Sequence, residues 1–341
     1  MDFRNILWIS HSALSAYARC PKLYYYEYVY RNPKTGNRIQ IVNPYLSLGS
    51  AVHETIEGLA DIPDKEREKI SLKERFKKIF NSYKGKVGGF VLESKEEEFF
   101  SRGLKMVERV EKSNFLEKPS TKMESNFPKV DLIGDEVKLV GSVDWIEILP
   151  GGGAHIIDFK TGNNKEVNGS LQLPIYTILA KENLSMSVEK VSYWYLQHDD
   201  EPEPQEVGNL DRHLESIKEK ALAVREAIKK DHFPCRYNGK CFACGEYEKL
   251  FAGQAEMVGS DTQRKKDLFL TLDRQEVVEK ILEKSFLSSK EKNLFEERIG
   301  KKVNNGMKAD KETVLTIKEK LKKNLTSGEL KTVVELLREN G

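Results

Sequence analysis

The stretch Lys138–Lys160, KLVGSVDWIEILPGGGAHIIDFK, decides the fold. Two runs rich in Val and Ile, Lys138–Leu149 and Ala154–Lys160, flank Pro150-Gly151-Gly152-Gly153. A proline followed by three glycines is a strong turn signal, so the stretch predicts a β-hairpin. Side chains two apart on a strand share a face, so Asp158 and Lys160 point the same way and Phe159 points to the core. If the hairpin turns about Gly151, Asp144 sits directly opposite Asp158, with the β-carbons about 5 Å apart. Two carboxylates that close repel unless a cation joins them. A hard divalent ion such as Mg²⁺ takes carboxylate oxygens. Lys160 then stands beside the metal, where it could orient or deprotonate a water or stabilise the charge on an attacked phosphate. An arbitrary D-x-K is usually a surface ion pair. Here both aspartates are embedded in apolar strands, where a charge needs a partner or a metal.

Working outward, residues 1–31 read as a helix capped by Ser10 or Ser12, with a crowd of tyrosines from Tyr24 to Tyr30. Residues 32–47 read as a loop, and Gly49–Ala60 as a second helix carrying His53, a possible imidazole ligand. Residues 64–118 are charged and helical in period, with a break near Gly85–Gly89. After the hairpin come a helix over Ser170–Lys181, a strand over Val188–Leu196 and a long amphipathic helix over Leu210–Lys230. Gln172 and Tyr176 are spaced i, i+4 and share a helix face, from which both can hydrogen-bond a phosphate or a neighbouring carboxylate. A Cys-rich loop spans 233–245, and from Gln254 onward only helical pattern is visible, with mixed charges and apolar stripes such as Val277, Ile281 and Leu282. Glu124 is a further candidate carboxylate for the site, Tyr24–Tyr30 could stack bases, and His155 and His198 have no visible partner.

In order along the chain, these features are Cys-Pro-x-x-Tyr-Tyr-Tyr, G-x-x-x-H, G-x-x-D, I-I-D-F-K-T-G, Q-L-x-x-Y and a cysteine cluster. The ordered set over about residues 8–250 resembles the RecB-like nucleases of the PD-(D/E)XK superfamily, in particular the iron–sulfur branch that includes Cas4 and the AddB nuclease domain. The resemblance implies an α/β (α+β mixed) fold: a restriction-endonuclease-like core with a central mixed sheet flanked by helices. To this the sequence adds a C-terminal all-helical module, giving domains 1–252 and 253–341. The resemblance further implies that His53, Asp144 and Asp158 are ligands of Mg²⁺ or Mn²⁺, that Lys160 is the catalytic lysine, and that Gln172 and Tyr176 organise the site and the DNA strand. It favours an exonuclease acting on single-stranded DNA or DNA ends. The rival reading is a non-catalytic DNA-binding or assembly subunit with a zinc- or cluster-stapled nuclease-like scaffold, and a third is a zinc-stapled scaffold for a helicase or integrase. In each, the C-terminal helices are the expected dock for a helicase, recombination or CRISPR integration partner.

The cysteines are Cys20, Cys235, Cys241 and Cys244, too few for a disulfide scaffold but enough for one metal centre. Spacing alone admits zinc in a Cys₄ site or a 4Fe–4S cluster. The resemblance favours the cluster, since the family pairs one early cysteine with three late ones. Here the distant cysteine of the late three precedes the pair, a departure that makes Cys235 the least expected ligand. Either metal staples the N-terminal helix to the end of the nuclease core.

The composition of the 341 residues bounds the rest: 39% are hydrophobic, 32% are charged, and 56 Lys plus Arg against 54 Asp plus Glu leave a net charge of +2. That balance excludes a histone-like polycation but not a local basic groove. No apolar run approaches the roughly 20 residues that span a bilayer, and residues 1–12 show no secretion signal, which together lead us to expect a cytoplasmic protein without membrane partners.

Overall fold

In the computed structural model, which describes residues 6–123, 128–239, 241–284, 286–299 and 311–339, the 150–153 turn folds as its composition demands. Gly152 takes a φ of +84°, a left-handed value that favours glycine, and the flanking strands pair antiparallel with Trp145 opposite Ile157 and Ile148 opposite Ala154. The register places position 144 across from position 158, as the turn about Gly151 requires.

In chain order, β1 (Leu7–Ile9), α1 (His11–Arg19), α2 (Pro21–Tyr24), β2 (Arg38–Ile41) and α3 (Pro44–Glu57) lead into α4 (Asp64–Arg67), α5 (Leu72–Phe80) and α6 (Glu93–Lys112). Strands β3 (Ser120–Thr121), β4 (Lys129–Ile133), β5 (Val137–Val140), β6 (Trp145–Ile148) and β7 (Ala154–Lys160) follow. Then come α7 (Gln172–Asn183), β8 (Val188–Tyr195), β9 (Glu203–Gln205), α8 (Leu210–Lys229) and α9 (Gly245–Phe251). The remainder is β10 (Ala255–Asp261), β11 (Lys266–Thr271), α10 (Arg274–Glu283), α11 (Ser289–Arg298), α12 (Lys311–Asn324) and α13 (Ser327–Glu339).

The central sheet has the order β3-β6-β7-β8-β9; β7 and β8 run parallel through the crossover helix α7, and the other pairs are antiparallel. Because strand side chains alternate, β7 feeds two cores. Ile157 and Phe159 pack with Trp145, Trp194 and the apolar faces of α3, α5 and α6, whereas Ile156 packs with Val191, Tyr193 and α1, α7 and α8. Each large side chain buried this way contributes about 1.5–3 kcal/mol. The result is the mixed α/β core, helices on both faces of a mixed sheet, that the sequence led us to expect.

Four local expectations are corrected. Lys138–Leu149 is not one strand: β5 belongs to a separate sheet, β1-β5-β4, and the chain leaves the ladder at Gly141–Asp144 before β6. Gly141 lies so close to α7 that an added Cβ would sit 2.8 Å from Leu179 Cδ1. Residues 1–31 are not one helix: Leu7–Ile9 form a strand, and the helix breaks at Cys20, which is extended (φ −165°, ψ 123°) because a residue before proline is driven out of the α region. Residues 32–47 contain β2 and the first turn of α3, whose N-cap Asn43 accepts from the Leu46 N–H at 3.0 Å. Finally, the stretch from Gln254 is not wholly helical. It opens with the β10–β11 hairpin, and β11 pairs in parallel with β2 across the expected boundary at 252/253. The alternation in AEMVGSD is broken by a bulge between Met257 and Gly259, which hid the strand. Helices α10–α13 do follow, and their apolar stripes pack on one another and on Val42, Val91, Leu270 and Leu272. Among the described residues, no helix is long and apolar enough to cross a membrane.

Candidate active site and cysteine cluster

The ends of β6 and β7, the start of α7 and the last turns of α3 converge on one polar pocket. Asp144 leaves the ladder just before β6, and its Oδ2 accepts the Phe159 N–H at 2.9 Å. Asp158, 1% exposed, lies across from it. Gln172 opens α7 and bridges the neighbouring groups: its Nε2 donates to Asp158 Oδ1 at 2.7 Å and to the Tyr176 hydroxyl at 3.2 Å, and its Oε1 accepts from Lys160 Nζ. Lys160 Nζ also lies 2.8 Å from Asp158 Oδ2 and 3.2 Å from Glu166 Oε1. On α3, His53 Nδ1 sits 2.7 Å from Glu57 Oε1 and 3.3 Å from Asp144 Oδ2. Gly49 allows this approach, since a Cβ there would already be 3.3 Å from Thr161 Oγ1 in the loop after β7.

The electrostatics follow from burial. Desolvation, then the facing Asp158 carboxylate, push Asp144 up, against the pull of His53. Burial likewise raises Asp158, against Lys160. Burial disfavours a charged His53, but Asp144 and Glu57 outweigh it and lift the imidazole to about 9. Burial also opposes the Lys160 ammonium, and Asp158 and Glu166 outweigh that too, so Lys160 is held above its ordinary value.

Do these groups fit a divalent cation? Asp158 Oδ2 is buried and receives no well-aligned hydrogen bond, although Lys160 Nζ is near. Ligand atoms of His53, Glu57 and Asp144 all lie within 4.8 Å of one another. Two facing carboxylates, one more from Glu57 and an imidazole form a donor set that suits Mg²⁺ or Mn²⁺. The expected residues His53, Asp144, Asp158, Lys160, Gln172 and Tyr176 are thus brought to one place. The sequence reading missed Glu57 and Glu166. Glu57 is i+4 from His53, and that helical spacing was a usable signal. Glu166 lies in a loop with no periodicity to betray it. His11 of α1 also feels the Lys160 and Glu166 charges, with burial holding it low. Glu124 lies outside the described residues. His155, expected to lack a partner, has two: its Nε2 is 2.7 Å from Ser192 Oγ and its Nδ1 is 3.5 Å from Glu147 Oε2.

The four cysteines also meet. Their sulfurs lie within 4.8 Å of one another, with Cys235 Sγ 3.8 Å from Cys244 Sγ. Cys20, Cys241 and Cys244 are buried. Cys235, least expected from spacing, is drawn in by the backbone N–H groups of Gly239 and Tyr237, which hold its thiol down at about 7 and favour the ligand-competent thiolate. The Cys20–Pro21 break is what lets an N-terminal cysteine reach the other three. The tyrosines beside it pack inward rather than offering free faces: Tyr24 stacks on Tyr28 at 5.1 Å and Tyr26 on Tyr247 at 5.4 Å.

Compared with known families, residues 8–247 match the sequence model of the PD-(D/E)XK nuclease superfamily. No curated protein matches the chain.

Proposed function

The chain belongs to the PD-(D/E)XK nuclease superfamily, and on that premise we propose that it is a metal-dependent deoxyribonuclease of the cytoplasm, an exonuclease acting on single strands or DNA ends. His53, Asp144 and Asp158 are the proposed ligands of Mg²⁺ or Mn²⁺, with Glu57 beside them. Such a cation, when bound, neutralises the scissile phosphate and lowers the barrier to attack by water. The chain's own groups do the remaining work. The Lys160 ammonium stabilises charge growing on the phosphate. Gln172 fixes the separation of Asp158 and Lys160, Tyr176 supports Gln172 from one turn below, and the Phe159 N–H holds Asp144 in place. The observation that carries this reading is the pair of carboxylates, Asp158 buried and Asp144 half-buried, facing each other across β6 and β7, with Lys160 on the same face.

For the cysteines the proposed group is a 4Fe–4S cluster, supported by the resemblance to the iron–sulfur branch. Zinc is the second reading, and one distance favours it: tetrahedral Zn–S bonds of about 2.3 Å imply sulfur separations of about 3.8 Å, the value between Cys235 and Cys244. The C-terminal helices remain the proposed dock for a protein partner of the helicase, recombination or integration kind.

The test is incubation with labelled single-stranded DNA in Mg²⁺ or Mn²⁺, then with EDTA, alongside Asp158→Ala. Shortening that stops with EDTA and is lost in the variant supports the enzyme. Tight binding without any cleavage in either metal points to the non-catalytic subunit instead. Metal analysis of protein purified without oxygen decides the cysteine centre: a brown protein carrying iron supports the cluster, and one zinc with no iron removes it.

A further inference from the structure

A cavity of about 630 Å³ runs along α3, floored by Gly49, Ser50 and His53 and walled by Tyr45, Arg75 and Arg264. A second, of about 190 Å³, shares Glu57 and Lys122 with it and continues past Asp144 and Val143. The two form one groove passing the His53–Asp144 pair. Arg264 comes from the turn between β10 and β11, beyond the 8–247 stretch that matches the family.

The groove has the chemistry of a single nucleic-acid strand. Tyr45 is 64% exposed, yet its ring is fixed edge-on to Phe99 at 5.0 Å, with the Arg102 guanidinium 5.8 Å away. A held, exposed ring is a platform for a base. Arg75 lies over Gly58, where an added Cβ would sit 2.1 Å from its Nη2, and its Nε donates to the Thr55 carbonyl at 3.0 Å. Among the described residues, no carboxylate forms an ion pair with it. At the other end, Arg264, Lys266 and Arg38 crowd together; burial and the repulsion of Arg38 and Arg264 push Lys266 down. Among the described residues, the Arg264 guanidinium ion-pairs with Asp261 alone, at 3.9 Å. The acids in the groove, Glu54 and Glu57, are engaged with Tyr83 and His53. Asp261 and Glu27 partly offset the Arg38, Arg264 and Lys266 group and Asp61 takes up Lys122 at 2.6 Å, which leaves Arg75 and the exposed Arg264 as the cations offered to a polyanion.

We propose that the β10–β11 turn, through Arg264, is the entry clamp of a track that leads a single DNA strand along α3, over Tyr45 and Arg75, to the Asp144–Asp158 pair. This rests on the nuclease reading for its endpoint but not for its binding surface. The strand's phosphates meet Arg264 and Arg75, and its bases stack on Tyr45.

The experiment measures binding of labelled oligothymidine across a salt series in EDTA, where cleavage is silent, and kcat and KM in Mn²⁺. It compares the full-length chain with Arg264→Glu, Arg264→Ala and Tyr45→Ala, and with Lys190→Glu as an exposed charge reversal that lines neither cavity. Arg264→Ala should weaken binding on the order of tenfold at low salt and reduce the log–log salt slope by about one. Arg264→Glu should weaken it further and raise KM more than it lowers kcat. Tyr45→Ala should weaken binding by about 5- to 150-fold with the slope unchanged. Lys190→Glu should bind as the unaltered chain does. An Arg264→Glu protein that matches Lys190→Glu in affinity, slope and KM overturns the track, and so does an unaltered chain that binds no single strand. A chain that never cuts, but whose strand binding still depends on Arg264 and Tyr45, keeps the track and loses the nuclease reading.

Discussion

Asp144 and Asp158 are placed face to face by the strand register and held there, the one by the Phe159 N–H and the other by the Gln172 side-chain amide. Neither can swing away to relieve the repulsion. A metal-free protein therefore carries a local cost that Asp144→Asn removes while keeping an acceptor for the Phe159 N–H. The variant should unfold at or above the temperature of the unaltered protein in EDTA and lose the upward shift that Mn²⁺ produces, because only binding to the native state gives that shift. An undiminished Mn²⁺ shift in differential scanning fluorimetry would remove Asp144 from the ligand set. Lys160→Ala should leave the metal-dependent shift in place and cut turnover by about 1,000-fold, the scale for losing a preorganised donor at a developing charge; activity within tenfold of the unaltered rate counts against its role. The opposition of these aspartates was legible because the Pro150–Gly153 turn is short and fixes the register, and strand alternation then fixes the face. Glu166 was not legible, since a loop residue reaches its partner through tertiary structure alone.

Elements show the same division. Residue 20 could have been read as a helix break from Pro21 alone, and that break presents Cys20 to Cys235, Cys241 and Cys244. Cys20→Ser should remove one of four ligands and the link between the two ends of the core, lowering metal content and the thermal midpoint together; retention of a full metal complement would exclude Cys20. The strands β10 and β11 escaped the sequence reading because their bulge and charged residues blur the alternation, and a parallel partner as distant as β2 leaves no local trace. In α13, Glu329 is fully buried. Burial pushes its carboxyl up, but Lys280, the Thr326 N–H and Lys86 outweigh it and hold it at about 2. A carboxyl depressed from 4.5 to about 2 in the fold stabilises the protein above pH 4.5, and that contribution is lost as pH falls towards 2. Glu329→Gln should therefore cost about 3 kcal/mol at pH 7 and flatten the acid limb of the stability curve, read by urea unfolding at stepped pH. A variant with the same acid limb shows that the pair adds nothing.

For the molecule as a whole, the question is where the nuclease core stops. Sequence pattern sets the boundary at 252/253, which implies that a chain ending near Ala252 folds on its own. The pairing of β11 with β2 argues otherwise. Such a chain strips β2 of its partner and deprives Asn32, Thr35 and Asn37 of the Asp267 carboxylate to which all three donate. It also uncovers Val42 and Val91, and each large apolar side chain returned to water costs about 1.5–3 kcal/mol. Against a total stability of about 5–15 kcal/mol, these losses weigh heavily; a cut after Asp273 also gives up α10–α13 and uncovers the same Val42 and Val91, but it keeps the β2–β11 pairing and the Asp267 contacts. The 1–252 chain should be insoluble, or unfold at markedly lower urea than the full chain. The 1–273 chain should unfold at higher urea than the 1–252 chain, retain its metal centre and cut short single strands. Because Arg264 sits in the same hairpin, the segment that closes the core is also the one that would receive the strand. If 1–252 unfolds at the same urea concentration as the full chain, the hairpin is a passenger on the core. Any loss of strand binding in that truncated chain would then report on Arg264 rather than on stability.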